Sequence, residues 1–251
     1  MTRGRLIGFG VLTCVAIGTC IRLGFWQLDR LAQRRARNAV VTSRGAEPVV
    51  PLERIAAQDT SASHWRRVRL RGVADYPAEL VHATRTQGGM PGVHVLTPVK
   101  PLAGAWGDTA VLVIRGYLAA PDGRTIDFGA VREPDTLDLD VLVLAYPVLR
   151  PGLVTMPSNA RAVRVLDRDT LSVKTGRPLA RMLLLALGDT VIRDVAVLTR
   201  VPPPAITEGP HLSYALQWFG FATVFGIGFL AVAWPRRRTR PATGGRPPQS
   251  A

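Results

Sequence analysis

Cysteine is scarce in this 251-residue chain, and the only two, Cys14 and Cys20, lie in an apolar run near the N-terminus. The region of about 170 residues between the two apolar ends therefore has no disulfide and must fold on its own hydrophobic core. Six residues apart, the two thiols point about 120° away from each other on a helix, so a shared metal site is disfavoured.

The sequence motifs of common enzyme classes are missing. The chain has no glycine-rich phosphate loop, no His-Glu-x-x-His, no paired-cysteine metal motif and no Gly-x-Ser-x-Gly elbow. Of the four histidines, His64, His82 and His94 fall in or beside predicted strands without metal-ligand spacing, which is typical of structural histidines. We predict a protein that is not an enzyme; a membrane-anchored hydrolase is a distant alternative that lacks a local signature.

Acidic residues are absent from the C-terminal end and rare at the N-terminal end. The net charge of +14 divides into +6 for residues 1–40, +3 for residues 41–210 and +5 for residues 211–251. A nucleic-acid-binding protein needs its basic residues on the folded region, where the balance here is nearly neutral. The net positive charge is instead concentrated beside the apolar ends, which indicates contact of the arginines there with lipid headgroups and predicts no nucleic-acid partner.

Two apolar stretches are long enough to be membrane spans. Residues 212–234 are uncharged, and a helix of roughly 20 residues crosses a bilayer. Near the N-terminus, Leu6 to Ile21 is uncharged, and the run extends to Trp26 if Arg22 reaches back toward the headgroups. We predict spans at 6–26 and 212–234, with a cleaved export signal or a lipoprotein signal at Thr19-Cys20 as alternatives for the first.

The arginines that flank the spans give conflicting signals about orientation. The four at positions 236, 237, 238 and 240 favour a cytoplasmic C-terminus, which places the N-terminus inside as well and the central region outside. The arginines after the first span, however, outnumber those before it. We base the predicted orientation on the second span, because it is uninterrupted. The arginines that follow the first span then lie on the outer side, where they should form a salt-bridged helix extension or contact an acidic partner.

The central region has the punctuation of a β domain. Short Val- and Leu-rich runs recur between Gly and Pro breaks and predict about eight strands, at 65–73, 79–84, 93–98, 110–118, 137–146, 162–166, 182–187 and 191–198. A hairpin loop at 87–92 and a short helix at 167–175 complete the pattern. We predict a small β-barrel or sandwich over residues 47–205, a linker and helix extension over 27–46, and a disordered tail over 235–251.

The start of the second span carries three side chains that are costly or unusual in a membrane. At about 100° per residue, His211, Tyr214 and Trp218 lie within about 60° of one another on a helix. Neutral imidazole is an axial ligand of haem iron, and aromatic side chains suit the flat macrocycle. An interfacial aromatic belt explains Tyr214 equally well, so the spacing alone leaves both interpretations open.

The end of the first span carries a comparable cluster. Gln27, Arg30 and Arg34 lie within about 60° of one another, and Trp26 is one turn from Arg30. Arginines here can bind the propionates of a haem or the phosphates of lipids.

Four motifs, in order, resemble the Surfeit-locus-one family of cytochrome c oxidase assembly proteins. They are Trp26-Gln27-Leu28-Asp29-Arg30, the strand at 92–98, the Arg-Gly-Tyr strand at 113–117 and the segment at 210–220 that begins Pro-His-Leu-Ser-Tyr. The resemblance covers residues 20 to 232, and the two membrane-edge motifs are its most specific part. Gly209-Pro210 stands where relatives usually have a polar residue before the histidine, which predicts an altered helix start.

The resemblance implies a two-span protein of the bacterial inner membrane that helps to place haem a in subunit I of the oxidase. It implies His211 as the haem-iron ligand, with Trp218 and Tyr214 as its neighbours. We add Trp26 and Arg30, from the cluster at the end of the first span, to the predicted cofactor-binding residues. The expected partners are the lipid bilayer, subunit I, and other assembly factors such as haem A synthase. A cofactor-free scaffold, whose β domain binds oxidase subunits or assembly factors, is the alternative.

Overall fold

The computed structural model describes residues 3–55, 60–148 and 160–234. The helices are α1 (Arg3–Ala46), α2 (Thr60–Ser63), α3 (Arg168–Thr175) and α4 (His211–Ala233). The strands are β1 (Val50–Pro51), β2 (Arg67–Ala74), β3 (Leu80–Gln87), β4 (Met90–Pro101), β5 (Ala110–Ala119), β6 (Thr136–Ala145), β7 (Ala162–Val163) and β8 (Leu179–Ala186). The predicted fold class, a mainly β domain between two apolar terminal helices, is confirmed. The tail predicted to be disordered, 235–251, lies outside the described residues.

The chain divides into two compact units. One comprises residues 1–38 and 207–251 and contains α4 with most of α1; the other comprises residues 39–206 and contains the β domain. Both α1 and α4 are long and apolar enough to cross a membrane, which fits a two-span membrane protein. The span limits 6–26 and 212–234 and the domain limits 47–205 stay predictions, because the end of a helix does not mark the edge of a bilayer.

The β domain is a closed barrel. Its single sheet has the strand order β1-β2-β6-β8-β5-β4-β3-β7, and an additional pairing of β2 with β4 closes five strands into a ring. Gly72 of β2 stands opposite Pro101 at this closure, where an added Cβ would lie 2.7 Å from the Lys100 carbonyl oxygen. Only glycine lets the two backbones approach so closely, and the structure therefore selects the barrel over the sandwich.

The core of the barrel follows from the alternation in β2. Val68 and Leu70 are fully buried among the inward residues of the other strands, whereas Arg67, Arg69 and Arg71 are exposed. The period-2 prediction for this strand is confirmed. The Arg69 guanidinium also donates to Asp138, at 2.5 Å, on the neighbouring strand β6.

A second apolar layer covers the outside of part of the barrel. The helix α3 contributes the fully buried Leu171 to this layer. The helix begins where the Asp167 carboxylate accepts a hydrogen bond from the Thr170 backbone N–H at 2.9 Å, and it ends at Gly176 with φ 64°. The predicted helix at 167–175 is confirmed. The predicted hairpin is also present, but its loop is shorter than 87–92: only Gly88 and Gly89, both at positive φ, lie between β3 and β4.

The strand predicted at 191–198 is wrong. Asp189 and Asp194 each accept a hydrogen bond from the backbone N–H two residues ahead, at 3.0 and 2.9 Å. These local turns consume the backbone donors that a ladder would need. Within the described residues, this segment pairs with the sheet only just beyond its end, where Thr199 forms a single bridge with Tyr117 of β5.

A buried charge network crosses the barrel. Arg115 of β5 donates to Glu79 at 2.6 Å, and both side chains are 0% exposed. Arg115 also reaches Glu133 at 2.7 Å, and Arg200, one residue after the Thr199 bridge, binds the same carboxylate at 2.6 Å. Burial opposes ionisation of Glu133, but the hydrogen bonds from the two arginines prevail and lower its pKa. The Arg-Gly-Tyr motif thus has a structural role, since it anchors the exit segment of the domain.

Candidate functional site

The helices α1 and α4 pack as an antiparallel hairpin through small residues. The buried residues of α1 are Thr13, Cys20, Gly24 and Leu31, which recur every seven or four positions and so lie on one face of the helix. The partly buried Gly10, Ile17 and Gln27 fall on the same face. An added Cβ at Gly24 would lie 2.6 Å from the Phe219 ring, and one at Gly10 would lie 3.3 Å from Phe229. Each glycine therefore leaves the space that an aromatic side chain of α4 occupies.

His211 is the first residue of α4. Gly209, at φ 72°, turns the chain into the helix, and Pro210 precedes His211 without a capping side chain. The first helical hydrogen bond runs from the Tyr214 N–H to the Pro210 carbonyl at 3.1 Å. Gly209-Pro210 thus starts the helix without a capping side chain and puts the imidazole in its first turn, where the Ser213 hydroxyl also donates to the Pro210 carbonyl at 2.8 Å.

The imidazole of His211 contacts the end of the α1 span. Its Nδ1 lies 2.9 Å from Oε1 of Gln27. In the part of the chain that the structure describes, no hydrogen bond reaches the other ring nitrogen, Nε2. Metal-binding histidines commonly donate one ring N–H to an acceptor and use the other nitrogen as the ligand, so this arrangement has the donor chemistry that a haem iron requires.

The two aromatic residues predicted beside His211 lie on the open side of α4. Trp218 is half-buried, with its ring edge-on to Phe221 at a centroid distance of 5.8 Å. The Tyr214 side chain is 47% exposed within this structure. Both rings are therefore available to the lipid or to a flat ligand.

Trp26 and Arg30 contact each other on α1. The Arg30 guanidinium lies over the Trp26 ring, 5.5 Å from its centroid, and its Nη1 donates to Gln33 at 3.3 Å. Trp26 also lines an open concavity of about 620 Å³ together with Arg22, Phe25 and Asp29. Every lining residue that the structure describes belongs to α1.

Helix geometry puts the predicted residues on one flank of the hairpin. The edge-on contact of Phe25 with Phe219, at 5.5 Å, marks one side of the interface. Successive residues of a helix are rotated by about 100°. This rotation puts two pairs of predicted residues on the opposite side of the interface: Trp26 and Arg30 on α1, and Tyr214 and Trp218 on α4.

The five predicted site residues are not joined into one cluster. Among the described residues, the only hydrogen bond or ring contact between two of them is that of Trp26 with Arg30. The residue that forms a hydrogen bond with His211 is instead Gln27, which follows the predicted Trp26 in the sequence. Helical periodicity places Gln27 on the packed stripe of α1, and this stripe is the signal that identifies it.

Arginines that follow the first span hold the segment before α4. The Arg35 guanidinium donates twice to the Glu208 carboxylate, at 2.8 and 2.9 Å. Arg34 and Asn38 both donate to the Thr207 carbonyl, at 2.9 and 3.1 Å. The side-chain hydrogen bond from Arg35 lowers the pKa of Glu208. The prediction of a salt-bridged helix extension is confirmed for Arg35.

The barrel histidines form no metal site. His82 and His94 stand opposite each other on β3 and β4, with ring centroids 5.9 Å apart. Burial lowers the pKa of His82 to about 4 and that of His94 to about 3, and the charge of Arg85 adds to both shifts. In residues 3–55, 60–148 and 160–234, no three His, Cys, Asp or Glu side chains are grouped to hold a metal ion.

These features define a class: a two-span protein with a closed β-barrel domain and a histidine at the mouth of its helical hairpin. The family model of the SURF1 family matches residues 14–223. An uncharacterized SURF1-like protein of Mycobacterium bovis is 28% identical over 232 residues, which cover 89% of this chain and 82% of the relative. A SURF1-like protein of Rickettsia prowazekii is 24% identical over 220 residues, which cover 86% and 85%. The chain belongs to the SURF1 family.

Proposed function

We propose that this chain is a non-catalytic carrier of haem a in the assembly of cytochrome c oxidase. Membership of the SURF1 family, the Surfeit-locus-one family of oxidase assembly proteins, supports the general role. The finer proposal is that His211 holds the haem at the outer edge of the membrane before subunit I receives it. The observation that carries it is the hydrogen bond of His211 Nδ1 to Gln27, while no hydrogen bond from the described residues reaches Nε2.

The remaining residues of the flank would bind the rest of the cofactor. Bound haem supplies an iron centre that accepts a neutral imidazole nitrogen. Trp218, Tyr214 and Trp26 offer aromatic surface to the ring, and the Arg30 guanidinium, beside Trp26, offers hydrogen bonds to a carboxylate. A carrier must also release its cargo, and a site on the open side of two helices leaves the ligand an exit without unfolding.

Haem content tests the carrier proposal. The full-length protein is purified in detergent from cells that make haem A, as wild type, His211→Ala and His64→Ala, and its absorbance is recorded. We expect haem a with the wild type and His64→Ala and a loss of at least 10-fold with His211→Ala, because the iron loses its protein ligand. A wild type without haem, or equal haem in all three samples, would overturn the proposal.

A cofactor-free scaffold is the second candidate, and the barrel offers a surface for it. Val191, Val195 and Val197 are all more than half exposed on the turn-rich segment before the Thr199 bridge. Exposed apolar side chains that lie together are typical of protein contacts. Normal haem loading of the oxidase in His211→Ala cells, together with lost assembly when the three valines are changed to serine, would favour the scaffold.

The orientation is part of the proposal. We place both termini in the cytoplasm and the barrel outside, in the inner membrane of a bacterial cell, with subunit I and haem A synthase as partners. Val148, which is 98% exposed, gives a test position in the barrel domain. With Cys14 and Cys20 replaced by alanine, Val148→Cys should react with a membrane-impermeant maleimide in intact spheroplasts, and Ser250→Cys should react only after lysis. The reverse pattern would place the barrel inside.

A further inference from the structure

Gln27 is the only α1 residue that the structure joins to His211 by a hydrogen bond within the described residues. The amide oxygen of Gln27 lies 2.9 Å from Nδ1, and both side chains are half-buried. No other hydrogen bond of the Gln27 side chain occurs in the described part of the chain. The amide therefore has one described polar contact, and that contact is the imidazole.

The contact dictates where the imidazole proton lies. Neutral imidazole carries one N–H, and an amide oxygen can only accept, so Nδ1 must carry the proton when it faces Oε1. The lone pair then resides on Nε2, the nitrogen that no hydrogen bond reaches in the described part of the chain. A change of tautomer would put the proton on Nε2 and block it as a metal ligand.

We propose that Gln27 is a positioning residue, which fixes the Nδ1–H tautomer and the ring orientation of His211 and so presents Nε2 to an iron centre. The identity of that centre as haem a rests on the proposed function, whereas the tautomer does not. In the resulting site, the neutral amide oxygen of Gln27 accepts the Nδ1–H of His211 and fixes the orientation of the imidazole.

The neutrality of Gln27 suits a carrier. A carboxylate that accepts from a ligating imidazole makes the other nitrogen a stronger donor, because charge-assisted hydrogen bonds are roughly twice as strong as neutral ones. The nearest carboxylate in the sequence, that of Asp29, instead accepts from Gln33 at 2.8 Å. Gln27 thus orients the ligand without the added basicity that would slow release of the metal.

The tautomer is measured first on haem-free protein. Nitrogen-15 NMR distinguishes the two ring nitrogens of His211 in the neutral imidazole, with His211→Ala identifying its signals among the four histidines. We expect the Nδ1–H form in wild type and Gln27→Glu, and a mixture in Gln27→Leu. The matched control Gln217→Leu removes an exposed amide from α4 and should leave the signals unchanged. An Nε2–H form in wild type, or an unchanged tautomer in Gln27→Leu, would overturn the proposal.

The haem-loaded protein gives the second readout. In cells that make haem A, we expect Gln27→Leu to retain 10- to 100-fold less haem, the usual effect of removing a partner of a metal ligand. Gln27→Glu should keep haem, raise the iron–histidine stretching frequency in resonance Raman spectra and lower the midpoint potential. Wild-type haem content and stretching frequency in Gln27→Leu would refute the role of Gln27 while leaving His211 as the ligand. A wild type without haem would instead refute the carrier function and leave the tautomer result standing.

Discussion

Arg115 and Glu79 form an ion pair at 2.6 Å in which neither side chain is exposed to solvent. The Arg115 Nε also donates to Thr97 at 2.7 Å, and its Nη1 donates to the Val131 carbonyl at 2.9 Å. One oxygen of Glu79, Oε2, has no hydrogen-bond partner in the described part of the chain. All three nitrogens of the Arg115 guanidinium thus donate hydrogen bonds, whereas one of the two carboxylate oxygens of Glu79 accepts none from the described residues.

Removing one member of this pair should destabilise the barrel strongly. Arg115→Leu leaves a buried carboxylate without its cation, and such changes cost about 3–5 kcal/mol. We expect a lower melting temperature of the detergent-solubilised protein. Arg71→Leu is the matched control, because its contact with Asp138 is 3.8 Å long and exposed, and it should have little effect. The double variant Arg115→Leu with Glu79→Leu should recover part of the loss; equal melting of the two single arginine variants would contradict the prediction.

The pair of barrel histidines should make stability fall in mild acid. The folded-state pKa values of His82 and His94, about 4 and about 3, lie below the unfolded value of about 6.5. The neutral form is therefore favoured by folding, and the stabilisation is complete above pH 6.5 and declines as the pH falls toward these values. Melting temperatures between pH 7 and pH 5 should drop more in wild type than in a variant with His82→Gln and His94→Gln. Parallel curves would show that the histidines do not couple to folding.

A bulky side chain at Gly24 should separate the helices of the hairpin. An added Cβ at Gly24 would lie 2.6 Å from the Phe219 ring, whereas one at Gly18 would meet no heavy atom within 4 Å, so Gly24→Leu clashes and Gly18→Leu is the matched control. The readout is a thiol cross-link, made by a short bifunctional maleimide, between Ile17→Cys and Gly226→Cys, with Cys14 and Cys20 replaced by alanine; an added Cβ at Gly226 would lie 3.9 Å from Cδ1 of Ile17. We expect the cross-link in the parent and in Gly18→Leu and its loss in Gly24→Leu. Its persistence in Gly24→Leu would mean that Phe219 swings aside.

Periodic patterns predicted much of this fold, and tertiary contacts account for the rest. Alternation located β2, and Gly88-Gly89 located the hairpin, because both features are encoded within a few residues. The segment 191–198 has the apolar composition of a strand, but the backbone N–H groups of Val191 and Ala196 donate to aspartate side chains instead of to a neighbouring strand. Barrel closure at Gly72 depends on pairing with a strand nearly thirty residues away, and the pattern of the neighbouring residues does not reveal that pairing.

The candidate site shows the same division. The sequence identified His211 and its flank through helical spacing, and the family resemblance favoured the histidine. The predicted site included Trp26 and Arg30 but not Gln27, although Gln27 shares a helix face with Arg30. Only the register of α4 against α1 shows which of these neighbours meets the imidazole.

Ring closure of the barrel also has a consequence in time. The parallel pairing of β5 with β8 and the pairing of β6 with β8 need residues 179–186, and the second half of the hairpin, α4, is synthesised later still. Chains fold as they emerge, N-terminal parts first. The ribosome therefore adds His211 after every strand of the barrel. All barrel strands have been synthesised before the candidate ligand exists.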